Sequence, residues 1–170
     1  MEVPETDSED EIPPGWEERC TTDGLVFYAL YVFLHSGFET ARCLAFHGCC
    51  VVFACRDLVK AEEKIALLKK ERPYTKCKSL QVDLTSLKSV KNFVQNFKLQ
   101  FKRCDILILN AGVFGLPYTK TEDSQEMHFQ VNFLAHFYMC LLMEPLLTLS
   151  KDPRVIFVSA ESHRQQKSAT

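Results

Sequence analysis

From Ser36 onward the chain alternates two kinds of segment. Short, almost unbroken apolar runs, CVVFAC at 50–55 and Ile106-Leu107-Ile108-Leu109, are separated by longer stretches whose apolar residues return every three or four positions. An apolar run without polar alternation suits a strand buried on both faces, and such strands arise where helical crossovers connect parallel neighbours. The pattern therefore predicts an α/β fold built on a doubly wound parallel sheet of Rossmann type. At 170 residues, 46% hydrophobic and 25% charged, the chain is long enough to bury one such core.

The elements can be placed in order. Phe38 to Phe46 reads as a short helix and Cys50 to Cys55 as a buried strand. Asp57 can cap a helix running to about Glu71, with Val59, Ile65 and Leu68 on its apolar side and Pro73 beyond its end. A strand is expected near Ser79 to Val82. Ser86 or Thr85 then caps a helix carrying Val90, Phe93, Val94, Phe97 and Phe101, which leads into the apolar strand from Asp105 to Leu109. Asp123 or Ser124 is expected to open the longest helix, which carries Phe129, Phe133, Phe137, Leu141 and Leu142 and ends near Leu149. Pro153 separates it from a last strand, Val155 to Val158.

The start of the chain reads differently. Residues 1–12 form an acidic lead with almost no apolar surface to offset the entropy of ordering, so disorder is expected there. In residues 13–34, PGWEER, TTDG and LVFY alternate polar and apolar positions around Asp23-Gly24, a strong hairpin signal, with Trp16 and Tyr28 as aromatic anchors. The same Val26 to Leu34 run can instead serve as the first strand of the parallel sheet, and the sequence leaves both readings open. The remaining residues, 35–170, form the α/β unit.

Charge and cysteine usage exclude several roles. A net charge of −2 provides no field for nucleic acid or an anionic membrane. The acidic start lacks the basic and apolar regions of a leader, and the apolar run Val26 to Leu34, nine residues, is far shorter than the roughly 20 that a membrane-spanning helix needs. The eight cysteines contain no CxxC pair and no histidine at zinc spacing, so they read as reduced, mostly buried thiols with no metal site. A cytoplasmic location is expected.

Four features fall at the carboxyl ends of successive strands, where open parallel sheets bind ligands. They are Ser36-Gly37, Arg56, Asp83-Leu84 and Asn110-Ala111-Gly112. In this order and spacing the stretch from Ser36 to His163 resembles the short-chain dehydrogenase/reductase family. SGFETARCLAFHGCCVVFACRD looks like the first helix and second strand of its retinol dehydrogenase-like branch. The resemblance implies that Ser36, Gly37, Arg56, Asp83, Asn110, Ala111 and Gly112 contact a dinucleotide. Arg56, nineteen positions after Gly37, stands where the fold meets the adenosine ribose, and an arginine there implies NADP. Asn132 in FQVNFLAHF matches the family's catalytic asparagine, which sits in a locally bent helix. Ser159 is a candidate for the substrate-orienting serine. The implied activity is oxidoreduction of a hydroxyl or carbonyl substrate of retinoid or steroid type. EDEIPPGWEERCTTDGLVFYA is similar to the opening of a WW module, which implies proline-rich PPxY peptides as partners, met by Trp16 and Tyr28.

The family pattern is broken in three places. Only His35-Ser36-Gly37 stands where TGxxxGxG is expected, so two of three phosphate-cradling glycines are missing. The expected serine pair after the last strand reads Ser159-Ala160. The family's YxxxK proton relay belongs downstream of that strand, whereas all five tyrosines lie upstream. A WW module, for its part, needs a third strand and a second aromatic, and Trp16 is the sole tryptophan. These breaks predict an incomplete dehydrogenase domain, preceded by a partial WW-like hairpin, that does not turn over substrate by itself. The alternative is a noncatalytic interaction or regulatory protein, able to associate through apolar surface left uncovered.

Overall fold

The computed structural model describes residues 27–31 and 35–159, without the side chains of 27–31, 35 and 36. Five parallel strands form one sheet: β1 (Phe27–Tyr31), β2 (Cys50–Cys55), β3 (Lys76–Gln81), β4 (Ile106–Leu109) and β5 (Arg154–Phe157), in the order β3-β2-β1-β4-β5. This is the doubly wound arrangement expected from the sequence, and its order reverses between β1 and β4. The central strand β1 settles the fate of the disputed run. Tyr28 pairs with Val51 on one side and Ile106 on the other. A strand bonded along both edges has no edge left for an antiparallel hairpin partner. Residues 27–31 therefore belong to the sheet and not to a hairpin, and Tyr28 is a strand residue. The rest of the predicted hairpin, with Trp16, and the acidic lead lie outside the described residues.

Two helices cover one face. Helix α1 (His35–Phe46) starts three residues earlier than its apolar pattern suggested and ends before Gly48, whose φ of +84° suits glycine in the turn into β2. Helix α2 (Leu58–Glu71) starts at Asp57, whose side chain accepts from the Lys60 N–H at 3.1 Å, a cap contributing about 1 kcal/mol. Its buried side is Ala61, Ile65 and Leu68, packed with Ala41, Ala45, Val51, Phe53 and Ile108. Val59, expected on that side, is 70% exposed in the first turn. Strand β3 begins earlier than expected, at Lys76; Cys77 enters the core on one face of the sheet and Leu80 the core on the other, while Lys76, Lys78 and Gln81 are exposed, as befits an edge.

The opposite face carries α3 (Leu87–Gln100) and α5 (Ala135–Leu147). Ser86, not Thr85, caps α3, accepting from the Ser89 N–H at 3.2 Å. Val90, Phe93, Val94 and Phe97 repeat on one side of the helix and pack on Val52, Ala54, Leu107 and Leu109. The last long helix opens later than predicted, as α4 (Met127–Phe129), because Glu126 takes the capping role and accepts from the His128 and Phe129 N–H groups. A π-turn, Gln130–Leu134, joins α4 to α5. Most of the predicted apolar stripe of this helix proves to be its outer one: Phe129, Phe133, Phe137 and Leu141 are about half exposed, whereas Leu142 packs against the core that Val131, Ala135, Met139, Met143 and Leu146 enter. Strand β5 is exposed throughout, including Val155, Ile156 and Phe157. Among the described residues no helix is long and apolar enough to cross a membrane.

Candidate functional site

A shallow cleft, open to solvent, lies at the carboxyl ends of the strands. Arg56 enters it just beyond β2, Asp83, Leu84 and Thr85 beyond β3, and Ala111, Gly112 and Val113 beyond β4, while Val131 of the π-turn also lines it. The sheet thus brings together four of the predicted residues, Arg56, Asp83, Ala111 and Gly112, at the topological switch where such sheets bind ligands. Leu84, Thr85, Val113 and Val131 complete the lining. Leu84 stood with Asp83 among the strand-end features, and Thr85 carried a sequence signal as a threonine two residues after an aspartate at a strand end; Val113 and Val131 had none.

Asp83 is held by its own turn and by α3. Its Oδ1 accepts from the Thr85 N–H at 2.9 Å and from the Thr85 hydroxyl at 2.8 Å, and its N–H donates to Ser89 Oγ at 2.9 Å. That fixes one wall of the cleft. The other wall is fixed by Asn132. Its Oδ1 accepts from the Val113 N–H at 2.7 Å and its Nδ2 donates to the Val113 carbonyl at 2.9 Å, so a single amide pairs with both backbone groups of one residue. A Cβ at Gly112 would stand 3.3 Å from Asn132 Oδ1, which explains a glycine at this position. The asparagine sits inside the π-turn, where the sequence resemblance expected a local bend. Such one-turn π segments recur at functional sites.

Below the cleft, His128 ties the following loop to the helix. Its Nε2 accepts from the Leu116 N–H at 3.3 Å while Nδ1 lies 2.7 Å from Glu126 Oε1. The ring proton is therefore assigned to Nδ1, the nitrogen facing the carboxylate. The N–H and ring of His128, with the N–H of Phe129, hold the Glu126 carboxyl down at about 2. Among the described residues no group of three His, Cys, Asp or Glu side chains stands ready to hold a metal.

The other predicted residues lie apart from the cleft lining. Ser36 and Gly37 fall in the first turn of α1, with Gly37 buried. Asn110 follows β4 directly without lining the cleft, and Ser159 lies exposed two positions past β5. Between Tyr31 and His35 the sequence supplies Val32-Phe33-Leu34, with no glycine to bring backbone amides to a pyrophosphate. One tyrosine does have a lysine four positions on: Tyr74 and Lys78. Both are at the amino end of β3, opposite the cleft. Tyr74 is 84% exposed and Lys78 donates to Gln100, so the spacing forms no proton relay here. Arg56 and the Asp83 turn thus offer the kind of groups that the adenosine end of a dinucleotide would need, whereas Val32-Phe33-Leu34, where a phosphate-cradling loop would stand, lie outside the described residues.

Residues 36–169 match the short chain dehydrogenase family. The chain is 32% identical to the WW domain-containing oxidoreductase of Drosophila melanogaster over 260 positions, covering 95% of this chain and 63% of that protein. That span is longer than the 170 residues available, so the fly protein carries internal sequence without counterpart here. Retinol dehydrogenase 12 of Homo sapiens is 39% identical over 127 residues, which are 75% of this chain and 40% of that enzyme. The chain thus spans less than two thirds of either relative. A short chain dehydrogenase from Shigella flexneri, crystallised with NADP, superposes with a TM-score of 0.69 over 84% of this chain and 62% of its own, at 20% identity, a likeness of fold.

Proposed function

The chain belongs to the short chain dehydrogenase family, and from that membership we propose that it is the nucleotide-binding part of an NADP-dependent oxidoreductase acting on hydroxyl or carbonyl groups of retinoid- or steroid-like substrates. The observation that carries this reading is the Asn132 clamp: a π-turn delivers its amide to Val113, beside the turn that ends β4, where the family's cofactor chemistry is organised. When bound, the cofactor would supply the hydride. Arg56 and the Asp83 turn would hold its adenosine end. Arg56 would pair with a ribose phosphate, and Asn132 would keep the strand-end turn in place.

Turnover is a separate matter. The three residues between β1 and α1 contain no glycine, and Tyr74 and Lys78 stand away from the cleft. These 170 residues are therefore proposed to bind the adenosine end without reducing substrate. Isothermal titration with NADPH and 2′,5′-ADP tests the binding. Both should give heat, and Arg56→Ala should weaken each about tenfold or more, the worth of one charge-assisted contact. No heat at millimolar ligand would refute the nucleotide reading, and steady oxidation of NADPH by retinal would refute the proposed inactivity.

A second reading, a noncatalytic interaction protein of the cytoplasm, is favoured by the half-exposed Phe129, Phe133, Phe137 and Leu141 row and by the exposed β5. Sequence at these positions is apolar enough to associate with another surface. PPxY peptides are the other partner class proposed. They would have to be met without a hairpin at 27–31, since β1 is engaged on both edges. A PPxY pull-down that depends on Trp16 would support that partner.

A further inference from the structure

We infer that Gln130 is a positioning residue for the cleft, holding the wall formed by Leu84 and Thr85 just as Asn132 holds the wall at Val113. The inference rests on the nucleotide reading for its functional meaning, but its structural content stands alone. Gln130 is fully buried, and a buried amide must find partners or cost stability. It finds them in two other segments. Nε2 donates to the Leu84 carbonyl at 3.3 Å and to Asp123 Oδ2 at 2.7 Å, and Oε1 accepts from the Thr121 hydroxyl at 2.6 Å.

Asp123 extends the reach of this side chain. The same Oδ2 accepts from the Leu87 N–H at 2.8 Å, the first residue of α3. Gln130 therefore fixes the chain on both sides of Thr85: directly at Leu84, and through Asp123 at Leu87. Its helix neighbour Val131 lines the cleft, and Asn132 grips the far wall. Residues two apart on a helix point to nearly opposite sides, so three consecutive positions can serve one wall, the lining between, and the other wall. A side chain that only filled space would need no polar atoms here. Methionine has nearly the same length and shape.

Gln130→Met removes all three hydrogen bonds while keeping the apolar bulk. Amide hydrogen exchange should then rise about tenfold at residues 84–87, the loss of roughly one net hydrogen bond, and stay unchanged at 112–114. Asn132→Ala should do the reverse. Both should weaken 2′,5′-ADP by about tenfold in titration, through different walls. Met143→Ala, a core variant remote from these bonds, controls for general loosening by raising exchange evenly. Exchange in Gln130→Met that is unaltered at 84–87, or raised equally everywhere, would overturn the inference. So would undiminished nucleotide affinity in a variant with loosened 84–87. If the unaltered chain binds no nucleotide while exchange changes as described, the nucleotide reading falls and the brace at 84–87 stands.

Discussion

Replacing Gly112 with alanine probes the contact on which the cleft's far wall depends. The new Cβ would meet Asn132 Oδ1 at 3.3 Å, closer than an ordinary contact, and Cγ at 3.7 Å. The oxygen has little freedom to retreat, since it accepts from the Val113 N–H at 2.7 Å while the paired Nδ2 donates at 2.9 Å. Yielding a few tenths of an ångström should forfeit much of one hydrogen bond, about 0.5–1.5 kcal/mol. Against this, alanine restricts the unfolded chain and should return about 0.4–1 kcal/mol, because Gly112 has no positive φ to forbid it. In the unaltered background the two effects nearly cancel, with a net loss of up to about 1 kcal/mol. With Asn132→Ala already made, the obstructing oxygen is gone and only the gain remains. Gly112→Ala should therefore stabilise that variant. Urea unfolding of the four proteins of this cycle measures the difference directly, and a coupling of about 0.5–1.5 kcal/mol exceeds the usual scatter of such cycles at its upper end. Equal effects of Gly112→Ala in both backgrounds would refute the close approach, and with it the claim that Asn132 sets the wall.

Two further outcomes are expected. His136 is 3% exposed, its Nε2 has no partner among the described residues, and burial holds its pKa down at about 4. With a folded value below the unfolded one near 6.5, the unfolded chain takes up the proton first, so stability is whole above pH 6.5 and falls as pH drops towards 4. His136→Leu should flatten that slope in denaturant midpoints measured from pH 7 to 4; an unchanged slope would assign the loss elsewhere. On the outer row of the π-turn and α5, Phe133→Glu with Phe137→Lys should leave the unfolding free energy within about 0.5 kcal/mol of the original, as suits half-exposed positions. Sedimentation should show less self-association in the same variant, and unchanged association would remove this row as its cause.

Much of the cleft could be read from local pattern. Arg56, Asp83 and the Ala111-Gly112 turn each follow an apolar run, and strand ends on one side of a parallel sheet must converge. Their partners could not be read. Asp123 looked like the cap of the helix that follows it, yet its carboxylate accepts from the Leu87 N–H at the start of α3, thirty-six residues back, and the nearer helix takes Glu126 instead. Gln130 is one polar position in an aromatic helix, and nothing local marks it as fully buried. Tyr74 and Lys78 have the motif's spacing in sequence, yet they stand at the amino end of β3, opposite the cleft.

Sequence alone determined the alternation of strand and helix, the parallel sheet, and the residues at its carboxyl ends, because apolar period and turn chemistry act over a few positions. Tertiary structure alone decided between uses that were locally equal. Residues 27–31 could pair in a hairpin or in the sheet, and two free sheet edges, on β2 and β4, gave them more backbone hydrogen bonds than one hairpin strand offers. Both apolar stripes of the last helix had the right spacing, and packing against α3 chose which one to bury. Such choices turn on contacts between segments far apart in the chain, and no short window of residues contains both partners.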